Sequence, residues 1–271
     1  MRLTILGSGT LLPDAHHHSP AHLVEDADFR LLLDCGAGTV HGLARSSVSW
    51  RTLDAVLLTH FHTDHLGDLP ALLWAFRHGV GDERTRPLTL LGPPGLRAFV
   101  AALARAHGDW IHEPGFPLEV RELARADEWA PPSGSGRLRT APAFHTESSV
   151  AVRWDGSRGS VGYTGDTGPD DGLAAFLQGV HVLVAECALP DEAETATHLT
   201  PRSVGDLAAS VAPEVLVLTH LYPHVPRDRL PDLVAERGYR GVSALGRDGL
   251  VVEGRPGAYR VQGPAEVQED R

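Results

Sequence analysis

The sequence predicts an α/β fold, and three observations carry that expectation. First, apolar runs of strand length recur at residues 30–34, 55–60, 161–166, 180–186 and 215–220. They are short and several are rich in β-branched residues, as buried strands are. Each stops at Asp, Glu or His, and ligands of open α/β sheets gather beyond the carboxyl ends of the strands. Second, helix-like stretches lie between them, at 66–77, 95–106, 172–177, 201–212 and 227–237. Third, Asp54-Ala-Val-Leu-Leu-Thr-His60 is echoed by Glu214-Val-Leu-Val-Leu-Thr-His220. A single repeat 160 residues apart is no solenoid. It points to two similar half-domains packed face to face, each delivering a ligand from the same end.

Taken in order, Arg2-Leu3-Thr4-Ile5-Leu6 reads as an opening strand. The N-terminal third and the stretch 116–165 are strand-rich with Gly and Pro turns. Pro131-Pro-Ser-Gly-Ser-Gly136 is a loop inside that region rather than a linker, because strand patterns resume on both sides. Thr200 before Pro201 is an N-cap followed by Pro at the first helical position, and Gly238 closes the last helix. Residues 1–255 are therefore read as one domain and the polar stretch 256–271 as a loosely held tail.

The chain has 271 residues, 42% hydrophobic and 22% charged, enough for a sizeable core. No apolar run nears the roughly 18–20 residues of a membrane span, and Met1 leads into no signal segment, so a cytoplasmic protein without membrane association is expected. Cys35 and Cys187 suit a reducing compartment and are expected to pack as small apolar groups. The net charge is −11 and every cation is Arg. Such a chain lacks the basic footprint that supplies most nucleic-acid affinity.

Histidine, the commonest metal ligand, occurs 16 times. The strongest cluster is His60-Phe61-His62-Thr63-Asp64-His65, four ligand-type residues directly after a strand. A tight loop there can turn His60 and His62 to one metal and Asp64 and His65 to a neighbouring one. Further along stand Phe144-His145-Thr146, Asp166 at the end of Tyr163-Thr164-Gly165-Asp166, and His220. His16 to His18 read as a solvated loop. His22, His41, His78, His107, His112 and His181 read as ordinary core or surface residues. His224 is near enough to His220 to be a cleft candidate.

The order His60-x-His62-x-Asp64-His65, His145, Asp166, His220 resembles the metallo-β-lactamase superfamily. Gly7-Ser-Gly-Thr10, Leu33-Asp34-Cys35-Gly36, Ala185-Glu186 followed by His198-Leu-Thr200, and Leu218-Thr219-His220-Leu221 resemble its ribonuclease Z branch. The resemblance implies a four-layer αβ/βα sandwich, two packed mixed β-sheets flanked by helices. It implies a dinuclear centre with His60, His62 and His145 on one divalent ion, Asp64, His65 and His220 on the other, and Asp166 bridging. Nitrogen and carboxylate donors without cysteine suit Zn²⁺ first, with Mn²⁺ or Fe as alternatives. A metal-bridging hydroxide would be the nucleophile. Asp64, His198 and Glu186 form the catalytic group, with His198 protonating the leaving oxygen and Glu186 orienting it. Asp34 is expected to brace the ligand loop.

The chain departs from the branch at one point. Ribonuclease Z proper inserts a tRNA-gripping arm between the equivalents of His145 and Asp166, whereas here 20 residues separate them, enough for one hairpin. The expected function is a metal-dependent phosphodiesterase acting on a small-molecule or nucleotide phosphodiester, with the missing arm and the acidic charge weighing against tRNA binding, and with a homodimer as the partner state common in this branch. Acyl or lactone hydrolysis, endoribonuclease action on tRNA-like RNA, and a non-catalytic accessory role are the alternatives.

Overall fold

The structure is a computed structural model describing residues 1–79, 84–193 and 195–263. Strands β1 (Arg2–Gly7), β2 (Ala21–Asp26), β3 (Phe29–Leu33), β4 (Ala55–Leu57), β5 (Leu88–Gly92) and β6 (Leu118–Glu122) build a first sheet. Strands β7 (Glu128–Trp129), β8 (Gly136–Pro142), β9 (Val150–Gly156), β10 (Gly159–Tyr163), β11 (Val182–Glu186), β12 (Val215–Thr219) and β13 (Val242–Leu245) build a second. The chain then returns to the first sheet with β14 (Val251–Glu253) and β15 (Arg260–Gln262), giving the order β15-β14-β1-β2-β3-β4-β5-β6 against β13-β12-β11-β10-β9-β8-β7. Both sheets are mixed: β3 to β6 and β10 to β13 run parallel, and the remaining pairs are antiparallel.

The side-chain period of two explains why the parallel strands read as unbroken apolar runs. Leu31 and Leu33 enter the core between the sheets, while Leu32 joins the outer core under the helices. Val182 and Val184 face inward and Leu183 and Ala185 outward; Val215 and Val217 alternate with Leu216 and Leu218 in the same way. Helices α3 (Leu69–Gly79) and α4 (Leu96–His107) cover the first sheet, burying Leu72, Leu73, Phe76, Leu96 and Val100. Helices α5 (Asp171–Leu177), α6 (Pro201–Val211) and α7 (Leu230–Glu236) cover the second with Leu173, Val204, Leu207, Leu230 and Val234. Each such side chain contributes about 1.5–3 kcal/mol when fully buried. The result is four layers, with the two members of the sequence echo, β4 and β12, in opposite sheets.

Local differences from the sequence reading have physical causes. The helix expected over 66–77 starts at Leu69 as α3, separate from the short α2 (Thr63–Leu66), because Pro70 has no N–H to donate to the Leu66 carbonyl; between the two, Asp68 turns its carboxylate to a different helix. Its Oδ2 accepts the amides of Gly38 and Val40, both at 3.0 Å, at the start of a helix that the sequence reading missed, α1 (Thr39–Arg45). The stretch 227–237 begins as a 3₁₀ turn, Arg227–Arg229, before α7. Within the segment expected to be a loose tail, β15 pairs with β14, and Gln262 donates to Glu253 at 2.8 Å. The part of that tail beyond Gly263 lies outside the described residues.

Candidate metal centre

The carboxyl ends of β3, β4, β10, β11 and β12 meet at one end of the sandwich, so the residues ending the apolar runs converge. His60, His62 and His145 place one donor atom each within 4.8 Å of one another; Asp64, His65 and His220 do the same beside them. Asp166 stands between the two groups, with Oδ1 3.3 Å from His65 Nε2 and Oδ2 3.7 Å from His145 Nε2 and 3.5 Å from His220 Nε2. His62 Nδ1 and His145 Nε2 lie 3.0 Å apart. The His65 and His220 side is buried, whereas His62 is exposed and His145 half-buried, so the centre opens past these two rings.

Whether these residues suit a metal can be judged from their unmet hydrogen-bonding needs. His60 Nε2, His65 Nε2 and Asp166 Oδ1 are buried and have no hydrogen-bond partner. Buried polar atoms are nearly always paired, and three orphans aimed into one cluster of nitrogen and carboxylate donors are what divalent cations require. The opposite edges of the same rings are tied down. Asp34 Oδ2 accepts from His65 Nδ1 at 2.7 Å, and the Thr59 hydroxyl, which donates to Asp34, accepts from His60 Nδ1 at 3.0 Å. His145 Nδ1 donates to the Thr197 carbonyl at 3.1 Å. In each ring this leaves Nε2 as the free lone pair. Burial pushes the His60 pKa far down, keeping that ring neutral. For Asp166, burial alone would raise the pKa, but His220 and His65 outweigh it and hold the carboxyl well below the usual range.

A second pair faces the same opening. Glu186 Oε1 accepts from His198 Nδ1 at 2.9 Å and from the Thr167 amide at 2.7 Å, and Oε2 accepts from the Ala188 amide at 3.2 Å. The carboxylate is thus fixed by backbone donors, and it directs His198 Nε2 away from itself. The His198 ring lies 4.7 Å from that of His145 and 5.9 Å from that of His220, centroid to centroid. Burial raises the Glu186 pKa. Burial would lower that of His198, yet its hydrogen bond to Glu186 raises it above the ordinary value.

The sequence reading missed some supporting groups. Tyr163 donates to Asp34 at 2.8 Å from the second sheet, and no local pattern marks a partner 129 residues away. Thr59 could have been found, because the echo repeats Thr before each His. Of the discounted histidines, His17 contacts Asp14 at 3.0 Å, and His18 lies 2.7 Å from Asp248, which also accepts from Ser8. His16 and His224 are exposed. Cys35 and Cys187 are buried thiols.

The chain matches the model of the β-lactamase superfamily domain over residues 29–221. It is 32% identical over 246 residues to the ribonuclease Z of Mycobacterium sp. (strain KMS), covering 83% of this chain and 85% of that one. Among solved structures it is similar to the metallo-β-lactamase fold protein YhfI from Bacillus subtilis (TM-score 0.80, 22% identity, 93% of this chain and 98% of the other). It is also similar to human tRNase Z, short form (TM-score 0.76, 22% identity, 93% and 99%). With the sandwich and its His/Asp clusters, these likenesses show that the chain is a metal-dependent hydrolase belonging to the β-lactamase superfamily, in its ribonuclease Z-like branch.

Proposed function

We propose that the chain is a phosphodiesterase built on two divalent ions, zinc in the first place, and that it acts on a small or exposed phosphodiester. The observation that carries the reading is the pairing of two adjacent three-residue donor groups, joined by Asp166, with the Glu186–His198 pair at the same opening. The first group would hold one ion through His60, His62 and His145, the second the other through Asp64, His65 and His220. Such ions supply Lewis-acid activation of water and of the phosphoryl oxygens. The chain's own residues supply the rest. Asp34, Thr59 and the Thr197 carbonyl fix the rings, and Asp166 and Asp64 would supply the negative charge that offsets the cations. His198, oriented by Glu186, holds a proton at Nε2 for the departing oxygen, which is general-acid help of about 10²–10⁴-fold.

The relatives named ribonuclease Z support phosphodiester chemistry. Between His145 and Asp166 the structure has the β9–β10 hairpin and no long insertion, which favours small or exposed diesters over a gripped tRNA. The test is a substrate panel on zinc- and manganese-loaded protein. Bis(p-nitrophenyl) phosphate and a dinucleotide should turn over, and p-nitrophenyl acetate and lactones should not. His198→Ala should lower kcat on the dinucleotide by about 10²–10⁴-fold, yet by under about tenfold on the nitrophenyl diester, whose leaving group departs without a proton. Turnover of acyl esters with phosphodiesters untouched would replace the reading with acyl hydrolysis.

A further inference from the structure

A cleft of about 1070 Å³ opens at the end of the sandwich opposite the metal centre. It is bounded by the start of β1, the β9–β10 turn, the residues preceding β11 and the β14–β15 turn. Strand β10 starts at this cleft and ends near Asp166, so its five residues, about 16 Å, separate the two places. Neither the metal chemistry nor the proposed phosphodiesterase reading uses it.

Five arginines line it, Arg2, Arg153, Arg158, Arg255 and Arg260, in a chain of net charge −11. Three carboxylates line it too, and each is engaged. Glu25 lies 3.7 Å from Arg2, Asp155 accepts from Arg153 and Arg139, and Glu253 accepts from Gln262. Among the described residues, no carboxylate comes within 4.0 Å of Arg158, Arg255 or Arg260. Five guanidinium groups thus face three carboxylates, and the three without a carboxylate partner are gathered on two walls of one concavity.

The wall that carries Arg158 is rigid. The fully buried Asp26 accepts from the Ser157 hydroxyl at 3.1 Å, the Arg158 amide at 3.2 Å and the Trp154 ring at 3.4 Å. Gly156 sits against that carboxylate so closely that a Cβ would strike it, and Gly159, at φ 143°, leaves no room for one beside Tyr259. The Tyr259 hydroxyl in turn donates to the Arg158 carbonyl at 3.3 Å, joining the two arginine-bearing turns. His181 adds a donor. Its Nδ1 accepts from the Ser160 amide at 3.2 Å, so the ring proton sits on Nε2.

We propose that this cleft is a second, non-catalytic anion site for a small, multiply phosphorylated ligand of nucleotide size. Forked guanidinium donors on a preformed wall are suited to phosphate oxygens, and a concavity of this volume suits a small molecule better than a flat strand contact. Adenosine 3′,5′-bisphosphate is the probe, titrated calorimetrically into the metal-loaded protein at 50 and 200 mM salt. Binding that survives in Asp166→Ala and weakens at least tenfold in Arg158→Ala/Arg255→Ala, with an unchanged melting temperature, is the expected result. Loss of all binding in Asp166→Ala, or unchanged affinity in the double arginine variant, overturns the proposal. So does a double variant that weakens only the binding of a tRNA transcript, which makes the face an RNA contact.

Discussion

Asp34 follows β3 in the left-handed region, at φ 58°, and His220 follows β12 at φ 56°. Non-glycine residues rarely adopt that conformation; of the four that do among the described residues, Ala27 and Ala212 lie in a hairpin turn and at a helix end, and Asp34 and His220 stand at the metal centre. For Asp34 the outcome is a carboxylate that accepts from His65 Nδ1, the Thr59 amide and hydroxyl, and Tyr163 at once. Asp34→Asn keeps the size but sets an NH₂ among those donors. Its zinc affinity, measured by competition with a chromogenic chelator, should fall about 10–100-fold with the fold intact. An affinity within twofold of the parent would remove Asp34 from the orienting role. Asp166→Ala takes away the carboxylate shared by both groups, so metal content after gel filtration should drop below one equivalent and phosphodiester turnover should be lost. Two retained equivalents would show that Asp166 does not join the ions.

Among the elements, α6 bears on the site because His198 lies two residues before its cap. The Thr200 hydroxyl accepts from the Ser203 amide, and the Ser203 hydroxyl accepts from the Thr200 amide at 2.8 Å, closing a capping box ahead of Pro201. Thr200→Ala should cost about 1 kcal/mol in urea unfolding. If the cap also holds His198, dinucleotide turnover should fall more than that of a nitrophenyl diester, and equal losses would limit the cap to stability. This cap was legible in the sequence because Thr, Pro and the apolar period that follows are local signals. The His60–His65 cluster and the paired runs ending at His60 and His220 were legible for the same reason, and so were the strands buried on both faces. Strands β8 and β9 were read only as a strand-rich region, since inward Leu138, Val152 and Trp154 alternate with the polar Arg139, Arg153 and Asp155 of the other face and make no unbroken apolar run. Helix α1 was missed because its cap comes from Asp68, 29 residues after Thr39, and no local pattern announces that. The arginine cleft was invisible for a like reason: its arginines are spread from residue 2 to residue 260 and meet only when the first sheet takes back β14 and β15.

At the scale of the whole molecule, the packing of the two sheets places an ionisable group where no charge can be accommodated. His22 sits on β2 opposite Ile5 and Leu33, both in the core between the sheets, and it is fully buried. Its ring meets that of Tyr163 edge-on at 4.8 Å, and neither ring nitrogen has a hydrogen-bond partner. Burial, reinforced by the nearby His65 and His220, lowers its pKa to about 3. Once unfolded, the same side chain titrates near 6.5. Between those values the unfolded chain binds a proton that the folded chain refuses, so stability falls as the pH drops from about 6.5 towards 3, by up to about 1.4 kcal/mol per unit. His22→Leu removes that proton and gives up no hydrogen bond. At pH 7 the variant should be as stable as the parent or more so, because an unpaired polar ring no longer has to be desolvated. The stabilities of both chains measured in urea at pH 7, 6 and 5 should therefore diverge, with the advantage of His22→Leu growing by roughly 2 kcal/mol at pH 5. The metal ligands titrate alike in both chains and cancel in the difference. Parallel curves across this range would mean that the space between the sheets accepts the charged imidazole, and that the acid sensitivity of the fold arises elsewhere.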